Sequence, residues 1–184
     1  LLLWCNPTVR GHLPDELGLL TLPQGQLPIT ESLLMGSIPT ELGQLGLMNS
    51  LLLYRNILTG PIPSEFGRLT YLNDLGLNEN LMTGLIPTEL GLLTNRFQGE
   101  LGLFRNAFAG TIPSVLGLLT SMTKLLLWEN DHTGTIPSEL GRLTDLIWLA
   151  LSNNHLQGQI SSELGRLSKL EYFGLFSNQL TGTV

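Results

Sequence analysis

Short apolar alternations recur along the whole chain, one in every 24 to 26 residues. In each, two apolar residues flank a single variable residue, and this period of two predicts a β-strand with one buried face. One strand per repeat predicts parallel strands stacked about 4.8 Å apart, and a fixed period of this length is typical of stacked-repeat proteins. The apolar pairs are Leu1/Leu3, Leu27/Ile29, Leu51/Leu53, Leu75/Leu77, Leu101/Leu103, Leu125/Leu127, Leu149/Leu151 and Phe173/Leu175.

Asparagine and glycine repeat with the same period. Because an Asn side chain both donates and accepts hydrogen bonds, it can satisfy backbone groups that a turn after each strand would leave buried and unpaired. One repeat carries Ser32 at the Asn position. The other landmarks are Asn6, Asn56, Asn80, Asn106, Asn130, Asn154 and Asn178, with Gly11, Gly36, Gly60, Gly84, Gly110, Gly134, Gly158 and Gly182.

The second half of each repeat reads Ile-Pro-x-Glu-Leu-Gly-x-Leu, as at 62–69 and 136–143. Pro fixes φ at the start of a turn, and Ser or Thr followed by Glu suits a helix N-terminus. Gly arrives three residues after the Ser or Thr, before more than one turn can form. The segment therefore predicts a short 3₁₀ or single-turn helix on the convex side of the stack.

The combined template, L-x-x-L-x-L-x-x-N-x-L-T-G-x-I-P-x-E-L-G-x-L, resembles the plant-specific class of leucine-rich repeat, which the G-x-I-P segment distinguishes from other classes. The resemblance implies an α/β solenoid. This is a right-handed superhelix with a concave parallel sheet of about eight short strands, a convex side of 3₁₀ or short helical turns, and an extra short strand near the G-x-I-P segment. It also implies a relation to receptor ectodomains and to inhibitors of cell-wall enzymes, which bind peptides, proteins or glycans.

Residues 1–184 form a single predicted array of about seven and a half repeats. Solenoids need polar caps over their end repeats, and neither end of this chain offers one. We therefore expect an excerpt of a longer protein that lacks both caps. Two segments depart from the template. Residues 22–35 carry Pro23, Pro28 and Ser32, and Pro28 removes a strand donor. Residues 94–100 carry two extra residues, and a local bulge or displaced loop is expected there. Either segment is a binding feature or ordinary repeat variation.

Charge and composition narrow the choice of partners. The net charge is −6, from 9 basic and 15 acidic residues, which argues against nucleic acid and anionic membrane surfaces. No apolar run approaches the roughly 18–20 residues of a membrane span, so no direct membrane insertion is expected. The single cysteine, Cys5, excludes an internal disulfide. The resemblance implies an extracellular or cell-surface location, with any membrane anchor outside this chain.

Two columns of the repeat vary in an informative way. The column two residues before the Asn is rich in aromatic residues, and Trp148 and Tyr172 stand in the column six residues before it. Both columns are expected to face solvent on the concave sheet, where exposed aromatic residues are typical of binding hot spots. The alternative, that neighbouring rings such as Phe104 and Trp128 pack on each other across strands, stays open.

The column directly before the Asn alternates in charge over five repeats, as Glu31, Arg55, Glu79, Arg105 and Glu129. Neighbouring repeats should form a ladder of ion pairs that sets register, each worth roughly 0–1 kcal/mol. Glu100 and Lys124 should form a similar pair. We hypothesise that the ladder also orients a polar ligand. The candidate ligand-binding residues are Tyr54, Arg55, Asn78, Glu79, Phe104, Arg105, Trp128, Glu129, Trp148, Tyr172 and Phe176.

Catalysis, cofactors and metals are not expected. His155 should lie beside Asp131 one repeat earlier, but no nucleophile accompanies this pair. One convex glutamate per repeat does not build the cage of six to eight oxygen ligands that Ca²⁺ prefers. His132 replaces an apolar residue after the Asn and is expected to be a weak point in the core.

The sequence is thus most typical of a recognition module for a protein, peptide or glycan, and the ligand-binding segment of a cell-surface receptor-like protein is the leading hypothesis. A secreted inhibitor of a glycan-cleaving enzyme is one alternative. A structural or ice-binding protein is another, using Thr-Gly-Thr edges such as Thr133 and Thr135, although Pro61, Leu85 and Ala109 interrupt such an array.

Overall fold

The computed structural model describes residues 9–22, 25–95 and 97–182. The expected first strand at Leu1 and Leu3, together with Trp4, Cys5 and Asn6, lies outside these ranges. Within them, fifteen strands, numbered β1 to β15 in chain order, form two parallel sheets. The predicted solenoid is confirmed, because each repeat adds one strand to each sheet and one 3₁₀ helix to the opposite side.

We name the sheet built from the apolar pairs the leucine sheet and the sheet that contains the landmark glycines the glycine sheet. The leucine sheet consists of β2 (Gln26–Pro28), β4 (Ser50–Leu52), β6 (Asp74–Gly76), β8 (Glu100–Gly102), β10 (Lys124–Leu126), β12 (Trp148–Ala150) and β14 (Tyr172–Gly174). The glycine sheet consists of β1 (Arg10–His12), β3 (Leu33–Gly36), β5 (Ile57–Gly60), β7 (Leu81–Gly84), β9 (Ala107–Thr111), β11 (Asp131–Gly134), β13 (His155–Gln159) and β15 (Gln179–Thr181).

The apolar pairs of the leucine sheet stand in register and fill the core. Leu51 pairs with Leu75, and Leu75 pairs with Leu101, and all three side chains are buried. Phe173 was expected to be buried in the same column but is exposed. It lies on β14, the last strand of the described sheet, which pairs only with β12, so no further repeat covers its ring.

Pro28 lacks a backbone donor but does not distort its strand. Residues Gln26–Pro28 form a regular strand that pairs with Ser50–Leu52. In a parallel ladder, alternate residues direct their N–H groups to the same neighbour. Here the Ile29 N–H donates to the Leu52 carbonyl at 2.8 Å, so the donor that proline lacks is not needed on that side.

Seven 3₁₀ helices of five residues each lie opposite the leucine sheet among the described residues, as predicted. Close approach explains the glycine in all of these turns but the last, since a Cβ at Gly67 would lie 2.5 Å from the carbonyl oxygen of Glu89 in the next repeat. A Cβ at Gly165, in the last described turn, would meet nothing within 4 Å. No helix in the described ranges combines the length and the apolar character needed to cross a bilayer. The helices are Asp15–Leu19, Thr40–Gln44, Ser64–Arg68, Thr88–Leu92, Ser114–Leu118, Ser138–Arg142 and Ser162–Arg166.

The asparagine column ties adjacent repeats together, as its position predicts. The Asn80 amide donates to the Leu77 carbonyl of its own repeat and to the Leu53 carbonyl of the preceding repeat, both at 3.0 Å. Its side-chain oxygen accepts from the Leu58 N–H at 3.0 Å, which links the leucine sheet to the glycine sheet. The same three contacts recur at Asn56, Asn106, Asn130, Asn154 and Asn178.

The described residues that follow the insertion, 97–100, are held by the preceding repeat. Phe97 turns into the core, and the Asn73 side chain accepts from the Gln98 N–H at 3.0 Å. The Asp74 carboxylate accepts from the Glu100 N–H at 3.0 Å. Strand β8 then resumes regular pairing, so the insertion changes the approach to the leucine sheet but leaves its register intact.

His132 is fully buried, and neither ring nitrogen has a partner with hydrogen-bonding geometry. Burial lowers the pKa of this histidine, while the nearby backbone of Gly110 and Ala109 and the charge of Asp131 oppose the shift. The corresponding residues of the adjacent repeats are Phe108 and Leu156, both buried and apolar. The expectation of a weak point in the core is consistent with this polar ring, which has lost its water without gaining a partner.

We predict that Asn80→Ala lowers the free energy of unfolding by about 3 kcal/mol, because three buried backbone groups lose their partner. Thermal unfolding followed by circular dichroism measures the change. Asn95→Ala, at an exposed loop position, is the matched control and should leave the midpoint unchanged. Equal midpoints for both variants would contradict the bridging role of the column.

We predict that His132→Leu raises the free energy of unfolding at pH 7 by about 1–3 kcal/mol, because an unpaired polar group leaves the core. The unfolded histidine binds a proton near pH 6.5, whereas the folded one binds only at lower pH. Protonation therefore favours unfolding, and stability should fall as the pH drops below about 6.5. His132→Leu should remove this part of the pH dependence, whereas His155→Gln, at an exposed position, should not. Parallel melting profiles of wild type and His132→Leu between pH 5 and 7 would refute it.

Candidate functional site

The outer face of the leucine sheet carries two adjoining depressions. The aromatic groove, a cavity of about 440 Å³, spans β8 to β14 and is lined by Phe104, Leu126, Trp128, Glu129, Trp148, Ala150, Ser152, Asn153, Tyr172 and Phe176. The acidic pocket, a cavity of about 480 Å³, lies toward the N-terminal repeats and is lined by Glu31, Ser50, Leu52, Tyr54, Arg55, Asp74, Gly76, Asn78, Glu79, Glu100 and Phe104. Phe104 belongs to both, so the two depressions are continuous.

The rings of the aromatic groove pack in pairs and still present area to solvent. Phe104 and Trp128 stack with centroids 4.5 Å apart and planes 10° apart. Trp148 and Tyr172 stack at 5.1 Å and 27°. The packing alternative is therefore present in both pairs, while Trp148, Tyr172 and Phe176 remain exposed, Phe176 to 61%. A binding role for these rings stays a prediction.

Small residues between the rings create the groove. Ala150 and Ser152 lie on its floor and are buried. A Cβ at Gly174 would lie 2.8 Å from the Tyr172 hydroxyl oxygen and 3.0 Å from the Ser152 hydroxyl oxygen. The missing side chain therefore lets the Tyr172 ring lie across the sheet. The buried Ser152 hydroxyl has no hydrogen-bond partner.

The acidic pocket is formed in the same way. Gly76 and Gly102 pair in register on β6 and β8, where the repeats on either side carry Leu52 and Leu126. A Cβ at Gly102 would lie 2.7 Å from a carboxylate oxygen of Glu100. The floor is therefore backbone, and the acidic side chains close over it from the edges.

The charge ladder forms as predicted. The Arg55 guanidinium lies 2.9 Å from Glu31 and 3.2 Å from Glu79, and Arg105 lies 3.8 Å from Glu79 and 2.9 Å from Glu129. Hydrogen bonds from Arg55, first to Glu31 and then to Glu79, raise its pKa, so the guanidinium keeps its charge. These contacts fix one rim of both depressions.

An unpredicted feature is the backbone of the ladder column, where every described residue, from Glu31 to Ser177, adopts a left-handed conformation. The φ angle is 53° at Glu31, 55° at Arg55 and 56° at Glu79, and the column continues through Asn153 and Ser177 at 55° and 53°. This turn directs each N–H to the next repeat, as in the 2.9 Å bond from the Glu79 N–H to the Phe104 carbonyl. The conformation costs roughly 1 kcal/mol per residue that bears a Cβ.

The ladder and the aromatic columns are in direct contact, although the sequence treats them as separate columns. The Arg105 guanidinium carbon lies 4.7 Å from the centroid of the Trp128 ring. Lys124 lies 6.0 Å from the Trp148 centroid and 3.7 Å from Glu100, which confirms the predicted pair. The cations thus cover part of the aromatic surface and hold the rings in place.

The structure groups the predicted site residues into two sets. Tyr54, Arg55, Asn78 and Glu79 line the acidic pocket, and Trp128, Glu129, Trp148, Tyr172 and Phe176 line the groove, with Phe104 in both and Arg105 beside them. The expectation that the aromatic column faces solvent throughout fails at its small members, since Thr30, Asn78 and Ser152 are buried beneath their larger neighbours.

Sequence reasoning missed the rest of the acidic pocket. Asp74 and Glu100 stand in the same column as Trp148 and Tyr172, six residues before the Asn. Gly76 and Gly102 stand in the column four residues before it, which is otherwise mostly apolar. The signal was therefore present, as two glycines in adjacent repeats of one column.

His155 and Asp131 lie 3.5 Å apart on the glycine sheet, so the predicted contact is confirmed. Both side chains are more than half exposed. Within the described ranges, no three His, Cys, Asp or Glu side chains are arranged to hold a metal ion.

Comparison with known proteins identifies the fold family. Residues 145–167 match the family model described as Leucine Rich Repeat. No curated protein sequence matches the chain. Among solved structures, the chain is similar to the ectodomain of the plant membrane receptor kinase GASSHO1/SCHENGEN3 from Arabidopsis thaliana, with 40% identity and a TM-score of 0.85 over 95% of this chain.

Two further structures are similar over nearly the whole chain. One is the plant peptide hormone receptor RGFR1, with 33% identity, a TM-score of 0.87 and 97% of this chain covered. The other is a plant ice-binding protein, with 27% identity and a TM-score of 0.70, in which the match covers 97% of this chain and 72% of that protein.

The chain spans 21% of the length of the first receptor ectodomain and 32% of the length of the second. The repeat template, the two sheets with their 3₁₀ turns, the family match and the solved relatives agree. The chain is a leucine-rich repeat protein that resembles plant receptor ectodomains.

Proposed function

We propose that this segment is a recognition module that binds an extended peptide across the outer face of the leucine sheet, as the ligand-binding part of a cell-surface receptor-like protein. The observation that carries the proposal is the aromatic groove, in which stacked rings remain partly exposed beside small floor residues. Exposed aromatic area of this kind is characteristic of binding hot spots.

Preorganisation supports binding rather than catalysis as the role of this face. Stacking holds the rings in pairs, and Arg105 and Lys124 restrain them further. Binding therefore costs conformational entropy of the ligand but little of the protein, which favours a higher affinity for the same contact area.

The solved relatives support a peptide as ligand and an extracellular location. The GASSHO1/SCHENGEN3 ectodomain is in complex with CASPARIAN STRIP INTEGRITY FACTOR 2, RGFR1 is in complex with RGF2, and the HAESA ectodomain, 32% identical to this chain, is in complex with a peptide hormone. These ligands belong to those proteins. For this chain, they favour a peptide over a glycan.

Ice binding is a second candidate, favoured by the similarity to a plant ice-binding protein. It would use the outer surface of the glycine sheet, where Thr59, Thr83 and Thr133 are exposed. Pro61 and Leu85 break the regular hydroxyl spacing of that surface. Thermal hysteresis of the purified chain separates the two candidates, and we expect none.

We predict that Trp148→Ala reduces peptide affinity at least tenfold, because half of the Trp148–Tyr172 stack is lost and the groove loses its largest exposed ring. Peptides are first selected on the wild-type chain from a displayed library of random peptides. Their affinity for wild type and variant is then measured by titration calorimetry.

Leu92→Ala is the matched control, since it removes an exposed apolar side chain from a 3₁₀ helix opposite the leucine sheet. It should bind every selected peptide as the wild type does. Selected peptides that keep full affinity for Trp148→Ala would exclude the groove as the binding site.

A further inference from the structure

The acidic pocket has a floor that admits a ligand close to the backbone. Gly76 and Gly102 are neighbours across the sheet, and both lack the side chain that fills this column at Leu52 and Leu126. Neither glycine has a positive φ angle, so the backbone conformation does not require glycine at these positions. What glycine provides here is close approach, because the side chains of Glu100 and Asn78 lie where a Cβ on Gly102 would stand.

The side-chain amide of Asn78 lies beside the two glycines. Asn78 is 6% exposed and lines the pocket. Its side-chain oxygen lies 3.8 Å from the position of a Cβ on Gly76 and 3.2 Å from that of a Cβ on Gly102. Its side chain makes no hydrogen bond to any described residue, although its backbone carbonyl bonds to Asn80. Its polar atoms are not among the fully enclosed side-chain atoms that lack a partner, so they are accessible from the pocket and available to a ligand.

The charges that line the pocket favour a positively charged ligand. Four carboxylates, those of Glu31, Asp74, Glu79 and Glu100, line the pocket against one guanidinium, that of Arg55. Arg55 is engaged by two of them in the ladder.

The other two carboxylates are incompletely neutralised. Asp74 accepts from the Asn73 side chain at 2.7 Å and from the Glu100 N–H at 3.0 Å. Glu100 has one cation, Lys124, at 3.7 Å. Burial and the neighbouring Asp74 raise the pKa of Glu100 against the effect of Lys124, so an added cation would relieve both carboxylates.

Aromatic walls complete the pocket. Tyr54 and Phe104 line it on the two sides of Asn78, and both rings are half-buried. A cation held between ring faces gains electrostatic attraction in addition to its ion pairs. The pocket therefore suits a guanidinium or ammonium group. The Asn78 oxygen and the carboxylates can accept its hydrogen bonds, and the two rings can pack against it.

We propose that the acidic pocket is the subsite for an arginine or lysine side chain of the ligand, and that apolar residues of the same peptide occupy the aromatic groove. This inference rests on the proposed function, since it assigns the ligand class of the same face. Phe104, shared by the two depressions, is the point where the peptide passes from one to the other.

The sheet geometry sets the spacing of the two ligand groups. The pocket floor lies between β6 and β8, and Trp148, the ring that the apolar residue is expected to contact, lies on β12. This separation is two and a half strand intervals, or roughly 12 Å at about 4.8 Å per strand. An extended peptide advances roughly 3.3 Å per residue, so the basic and apolar residues should stand about four positions apart.

The test uses four synthetic peptides with blocked termini and titration by nuclear magnetic resonance. Two contain the predicted spacing in either direction, acetyl-Arg-Ala-Ala-Ala-Phe-amide and acetyl-Phe-Ala-Ala-Ala-Arg-amide. Their partners replace Arg by Gln. We expect one Arg peptide to bind about tenfold more tightly than its Gln partner and to perturb the backbone signals of Gly76 and Gly102 together with the Trp148 indole.

Variants of the protein locate the effect. Gly102→Leu places in the pocket the residue that its neighbours Leu52 and Leu126 already carry, so the fold should be kept while the Arg preference is lost. Asp74→Asn combined with Glu100→Gln should abolish the preference without changing shape. The control is Glu65→Gln combined with Glu139→Gln, which removes two carboxylates from the 3₁₀ helices opposite the leucine sheet.

Each outcome separates this inference from the proposed function. Equal affinity of the Arg and Gln peptides, with the Trp148 signal still perturbed, overturns the cation subsite and leaves the groove. An Arg preference that persists in Gly102→Leu overturns its location. Failure of all four peptides to perturb either depression at millimolar concentration overturns both proposals.

Discussion

The amide that ends each leucine strand is the interaction on which the rest of this structure depends. One Asn side chain satisfies a carbonyl in its own repeat, a carbonyl in the preceding repeat and an N–H of the glycine sheet. Because the leucine pairs on either side are buried, these backbone groups cannot form hydrogen bonds to water instead. The bridge therefore fixes both the register of the strands and the separation of the two sheets.

Fixed register turns sequence columns into surface columns. The ion pairs of the ladder follow from it, since Arg55 meets Glu31 and Glu79 only if three successive repeats are aligned. The two depressions follow as well, because residues of equal column stand side by side. Side-chain size then determines where the outer face of the leucine sheet is recessed. Gly76 and Gly102 form the floor of the acidic pocket, and Ala150 and Ser152 that of the aromatic groove.

This dependence explains what could be predicted from the sequence. The strands, the 3₁₀ turns, the charge ladder and the Glu100–Lys124 and His155–Asp131 contacts all follow from period and register, and the structure confirms them. Whether the predicted binding residues bind a ligand remains a prediction, although the structure brings most of them to two adjoining depressions.

Other features depend on the residues of adjacent repeats, which the pattern of a single repeat does not give. Asn78 is buried because the larger Tyr54 and Phe104 stand on either side of it, a comparison across repeats rather than along one. Phe173 is exposed because no described repeat follows it, although its column is apolar. Pro28 is tolerated because the Ile29 N–H, not that of residue 28, donates to the neighbouring strand β4. Residue identity alone does not reveal this direction.

The left-handed backbone of the ladder column has a consequence for how the chain can evolve. Gly and Asn adopt this conformation with the least strain, and the column holds Asn once, at Asn153. Drift that preserved only the backbone would favour those two residues. Glu and Arg occupy it instead in five successive repeats, where local preference opposes them. Substitution by Gly or Asn in this column would thus relieve backbone strain but remove an ion pair. The present sequence keeps the charges at the cost of the strain.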